Sequence, residues 1–77
     1  MKSAELITFS INGTTYTAKK GMTFKEWIDD PGFDSTGISY DSNGYIYSNE
    51  LIIEASLSKT ISANGVYSIV CCFIPGT

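Results

Sequence analysis

The stretch Ile7-Thr8-Phe9-Ser10-Ile11-Asn12-Gly13-Thr14-Thr15-Tyr16-Thr17-Ala18 decides how this chain folds. Ile7, Phe9 and Ile11 alternate with Thr8 and Ser10, the period of two that marks a half-buried strand. Asn12-Gly13 then offers two residues that tolerate positive φ, as a type I′ turn requires. A two-residue turn sets Ile11 opposite Thr14, Phe9 opposite Tyr16 and Ile7 opposite Ala18. The apolar members then share a face, so residues 6–18 read as a hairpin in a self-consistent register.

Outward from the hairpin, a helix start is spelled in full. Thr23-Phe24-Lys25-Glu26 fits a capping box, in which the Thr23 hydroxyl and the Glu26 carboxylate each satisfy a backbone donor left open at the helix start. Met22 and Trp27 fall at the positions of a hydrophobic staple, and Phe24, Trp27 and Ile28 form an apolar stripe with Phe24 and Trp27 expected in the core. Asp29-Asp30-Pro31-Gly32 ends the helix, because the residue before a proline is pushed out of the helical region. About two turns of helix result, too short to stand without a sheet behind it.

A second hairpin is expected around Asn43-Gly44, pairing Ser42 with Tyr45, Asp41 with Ile46 and Tyr40 with Tyr47. Ile38, Tyr40, Tyr45 and Tyr47 then lie on one face and Ile46 on the other. Leu51-Ile52-Ile53-Glu54-Ala55 fits either a strand or an irregular crossing. Ile61-Ser62-Ala63-Asn64-Gly65 reads as a turn into a last strand, Val66 to Ile74, whose apolar character places it centrally.

The composition excludes most chemistry. The 77 residues hold five Lys, eight Asp plus Glu, and no Arg, His or Gln, for a net charge of -3. Without His there is no imidazole base, no Ser-His or Cys-His pair and no ordinary zinc site. Without Arg, and with so few Lys, a nucleic-acid footprint is not expected. No apolar run approaches the roughly 20 residues of a membrane-spanning helix, and no signal-peptide pattern follows the first residues. Cys71 and Cys72 are adjacent, which strains a disulfide between them; one reads as a small buried residue and one as a free thiol. Asp29, Asp30, Asp34 and Asp41 lack EF-hand spacing and read as solvated loop and cap groups; Glu50 and Glu54 are not aligned as an acid–base pair. Glycines at 13, 21, 32, 37 and 44 stand singly at turns rather than in a phosphate loop. No catalytic residue, metal or cofactor is expected.

The order hairpin, short helix, hairpin, turn, apolar strand resembles a β-grasp (ubiquitin-like) domain. That resemblance implies an α+β fold over residues 1–77, a small mixed sheet of four or five strands grasping one short helix. Ile11-Asn12-Gly13, Tyr16-Thr17-Ala18 and Gly21-Met22-Thr23 are similar to the front half of bacterial sulfur carriers, and Asn64-Gly65 before Val66-Tyr67-Ser68-Ile69 to their last turn and strand. Those carriers end in Gly-Gly, whereas Ile74-Pro75-Gly76-Thr77 stands here, which disfavours a sulfur-carrier or modifier role. Gly21-Met22-Thr23-Phe24 with Glu26-Trp27 also resembles the G-M-T-aromatic-x-E-W helix start of small phage and prophage proteins.

What the phage resemblance implies is a non-enzymatic protein–protein interaction module. A virion structural component (decoration, tail or fibre subunit) comes first and a small inhibitor of a host defence protein second. The expected partner is a protein or further copies of the chain, without nucleic acid or membrane, in the virion or the host cytoplasm. Tyr40, Tyr45 and Tyr47, among Ser39, Ser42, Asn43 and Ser48, are candidate contact residues because Tyr gives large contact area at low entropic cost. Phe73 and Ile74 join them as surplus apolar surface at the end of the last strand. Asn12, Gly13, Thr23, Glu26, Trp27, Asn43 and Gly44 are structural.

Overall fold

A computed structural model describes residues 5–71. The chain runs β1 (Leu6–Ile11), β2 (Thr14–Lys19), α1 (Phe24–Asp29), β3 (Ile38–Tyr40), β4 (Tyr45–Ser48), β5 (Leu51–Ser56), β6 (Val66–Tyr67) and β7 (Ile69–Cys71). It is a small, mostly β fold of the α+β kind with one short helix.

The first hairpin has the expected register, with Ile11 opposite Thr14, Phe9 opposite Tyr16 and Ile7 opposite Ala18. Asn12 and Gly13 both take positive φ, 49° and 86°, as a type I′ turn demands. The capping box is also present: Glu26 N–H donates to Thr23 Oγ1 at 3.3 Å, and Thr23 N–H to Glu26 Oε1 at 3.0 Å. Two further donors of the helix start are taken by residues 57–59, which cross beside it. Phe24 N–H reaches Lys59 O and Lys25 N–H reaches Leu57 O, both at 3.1 Å. Every backbone donor from Thr23 to Glu26 therefore has a protein acceptor, which is how a six-residue helix holds its first turn.

α1 buries Phe24 and Trp27 against the first hairpin. Trp27 meets Phe9 and Tyr16 edge-on at centroid separations of 5.0 and 5.3 Å, and Phe24 meets Tyr67 at 4.9 Å and 90°. Edge-to-face packing of this kind is favoured by the ring quadrupoles. The indole N–H donates to Thr17 O at 2.9 Å, so the largest core side chain leaves no polar atom unsatisfied. Met22 enters the same core, as do Ile46, Ile53 and Ile61 from the second half of the chain.

Three expectations are corrected. In place of one sheet of four or five strands there are two: a three-stranded sheet ordered β2-β1-β6, with β1 and β6 parallel, and a four-stranded antiparallel sheet ordered β3-β4-β5-β7. The expected single last strand supplies the edge of both. Gly65 O accepts from Ser10 of β1 and Tyr67 O from Asn12 in the turn that follows, whereas Ser68 O accepts from Glu54 of β5 at 2.8 Å. The segment thus lies between β1 and β5, as its apolar character suggests, but it changes partner at Ser68, and its register with β5 shifts between Ile52 and Ile53. Its residues beyond Cys71 lie outside the described residues. Leu51–Ser56 is a strand, which resolves the open reading of that stretch.

The third correction concerns the second hairpin, whose register is one residue away from the expected pairing. Tyr40 pairs with Ile46 and Ser39 with Tyr47, and Asp41 N–H donates to Tyr45 O. The loop therefore holds three residues, Ser42 to Gly44, with only Gly44 at positive φ, 89°. The cause is Asp41, whose Oδ1 accepts from the backbone N–H of Asn43 and of Tyr45, both at 3.0 Å. That side chain builds an Asx turn, and a glycine in the left-handed region completes a three-residue hairpin loop. A shift of one residue turns side chains to the other face, so Tyr40 and Tyr47 do not share one.

Candidate functional site

The tyrosines expected to form a contact face are largely used within the fold. Tyr40 is half-buried, and its hydroxyl donates to Asp29 Oδ1 at 2.7 Å. Lys25 Nζ binds the other oxygen of Asp29 at 2.9 Å and stands 5.7 Å from the centroid of the Tyr40 ring. The group ties α1 to β3. The Lys25 ammonium, and then the Tyr40 hydroxyl, hold the Asp29 carboxyl below its usual range, and the bond to Asp29 raises the Tyr40 phenol. Tyr47 is buried and its hydroxyl donates to Asp41 Oδ2 at 2.5 Å, the main reason the Asp41 carboxyl sits low. Tyr45 alone of the three is broadly open, 48% exposed. Phe73 and Ile74 lie outside the described residues, as does Cys72; Cys71 is in β7, paired with Ile52.

Asp30 and Asp34 are also occupied locally. Asp30 Oδ1 accepts from Gly32 N–H at 2.8 Å. Asp34 Oδ1 accepts from the Thr36 hydroxyl at 2.7 Å and its N–H at 3.1 Å, which lowers the Asp34 carboxyl. Among the described residues no three His, Cys, Asp or Glu side chains gather as a metal site would need. Glu50 lies in the β4–β5 turn and Glu54 in β5, on different elements. An open concavity of about 590 Å³ lies beside Lys19, Lys20, Met22, Glu26, Asp29 and Asp30, lined by both signs of charge.

A different surface stands out. Because Ile7, Phe9, Ile11 and Ala18 point to the helix, the alternate residues of β1 and β2 point away from it. Leu6 pairs with Lys19, Thr8 with Thr17 and Ser10 with Thr15, and Ser10 pairs on its other side with Val66 of β6. The result is a grid of short hydroxyl side chains with an apolar residue at each end, Val66 73% exposed and Leu6, beside Lys19, 62% exposed. A groove of about 510 Å³ borders it, formed by Leu6, residues 14–17 of β2 and the 32–36 loop with Phe33. Sequence reading passed over this face although its signal was present: once Ile7 and Phe9 point inward, Leu6 is an apolar residue on the outward side.

No family model, curated protein or solved structure matches the chain. Among the described residues no helix is long and apolar enough to cross a membrane.

Proposed function

We propose that the chain is a non-enzymatic protein–protein contact module on a β-grasp plan, serving as a phage or prophage virion component such as a decoration, tail or fibre subunit. The β-grasp reading is supported by the parallel neighbours β1 and β6 and by a single helix held against the sheet between two hairpins. The contact reading is carried by one observation: Val66 and Leu6 are exposed at either end of a hydroxyl-lined sheet face. Apolar residues set in an otherwise polar, regular surface mark a place where another protein excludes water. Short Ser and Thr side chains add contact with little rotamer entropy to lose.

The test is the assembly state of the full-length chain, by itself and in the presence of the particle. The expected result is incorporation into a particle or a defined oligomer, abolished by Leu6→Glu with Val66→Glu while the circular dichroism spectrum is retained. A free monomer that joins neither a particle nor a protein partner overturns the proposal. A stoichiometric host protein in place of a particle replaces the virion role with that of an inhibitor.

A further inference from the structure

Asn-Gly occurs three times, at Asn12-Gly13, Asn43-Gly44 and Asn64-Gly65. The dipeptide is the same at each, so any difference in its chemistry comes from the fold. In that chemistry the glycine amide nitrogen gives its proton to solvent base and attacks the asparagine Cγ. The N–Cγ bond forms as Cγ–Nδ2 breaks, ammonia leaves, and a succinimide results. Water then opens either imide carbonyl, giving aspartate or isoaspartate. A glycine N–H that already donates a hydrogen bond must first be released from it.

We propose that Asn12 is the site at which this chain undergoes succinimide-mediated deamidation, and that the fold protects Asn43 and Asn64. Gly44 N–H donates to Asp41 O at 3.1 Å, and Asn43 N–H donates to the Asp41 carboxylate at 3.0 Å. The attacking glycine amide is thus engaged, and the negative charge of Asp41 beside the turn opposes loss of its proton. Gly65 N–H donates to Ser62 O at 3.0 Å. That glycine is also crowded, since a Cβ there would stand 2.9 Å from the Tyr67 hydroxyl.

Gly13 differs from both. Among the described residues its N–H has no acceptor, nothing lies within 4 Å of where a Cβ would be, and Asn12 is exposed. Space does not separate Gly13 from Gly44, which is equally open; the bonded amide does. The product matters because isoaspartate adds a backbone methylene to a two-residue turn. That turn fixes the β1–β2 register, and Asn12 N–H docks on Tyr67 O at 2.9 Å, next to Val66.

The experiment incubates the full-length chain at mildly alkaline pH and digests samples with trypsin. Cleavage after Lys19, Lys25 and Lys59 places the three asparagines on separate peptides, and mass spectrometry reads the amide-to-acid change. Asn12 is expected to convert about tenfold faster than Asn43 or Asn64, the factor one protecting hydrogen bond supplies. In urea the three rates should converge. Equal rates in the folded chain, a lead by Asn43 or Asn64, or a hierarchy that persists in urea overturns the proposal.

Discussion

The two hairpins carry the same Asn-Gly dipeptide and fold it differently. In the first, Asn12 and Gly13 both sit at positive φ and make a two-residue turn between Ile11 and Thr14. In the second, only Gly44 does so, and three residues separate Asp41 from Tyr45. The residue before the loop makes the difference. Ile11 brings nothing that can bond the turn, whereas Asp41 brings a carboxylate that collects two backbone donors and the Tyr47 hydroxyl. A polar side chain at the mouth of a hairpin can therefore set its register and decide which face each later residue occupies. The first hairpin is held instead from below, by the aromatic core around Trp27.

Four changes probe that contrast. Trp27→Ala removes the fully buried support of the first hairpin and should cost about 3–5 kcal/mol in urea unfolding; a loss under about 1 kcal/mol would show that the hairpin holds itself. Thr23→Ala leaves the aromatic packing in place but deletes one half of the capping box. It should cost about 1 kcal/mol, with helical circular dichroism reduced. In the β4–β5 turn, Glu50 holds φ at 76° without being glycine or asparagine. Glu50→Gly should relieve that strain and raise stability by about 0.5–1 kcal/mol in thermal melts. Asp41→Ala should free the second hairpin to take its two-residue turn, seen as Tyr40–Tyr47 cross-strand nuclear Overhauser effects replacing Tyr40–Ile46.

The same acids give the smallest effect, a shallow loss of stability in acid. Asp29, Asp34 and Asp41 have carboxyls held below their usual range, so the unfolded chain binds protons more readily than the folded one. Their contribution is complete above the ordinary carboxylate value of about 3.9 and fades as pH falls through the lower folded values. Melting temperature should therefore drop from about pH 5 downward, and less steeply in Asp41→Ala than in the parent chain.

The front half was legible because its signals are local. Alternation, a positive-φ dipeptide and a capping box each act within a few residues, and all three name the same structure. The second half depends on choices that neighbouring residues do not settle. Whether Asp41 bonds its own turn or faces solvent cannot be told from the pattern Asp-Ser-Asn-Gly, yet it changes every cross-strand pairing between β3 and β4. The change of partner at Ser68 depends on β1 and β5 competing for one strand, a contest between segments far apart in sequence. Tyr67, buried against Phe24 and Phe9, reads in the sequence as one more polar aromatic. The roles of Tyr40 and Tyr47 depend on the same long-range choices, since their hydroxyls bond Asp29 and Asp41, whereas the outward side of the first hairpin follows from the alternation of Ile7 and Phe9 alone.

The central claim is that the helix-free face of the first sheet is where this protein meets another. A photo-crosslinking side chain at Thr8, in the middle of that face, tests it against the same group at Lys25 on the opposite, helical side. Irradiation of the native assembly should give a stoichiometric adduct from position 8 and none from position 25. An adduct from position 25 alone, or from neither, would contradict the account.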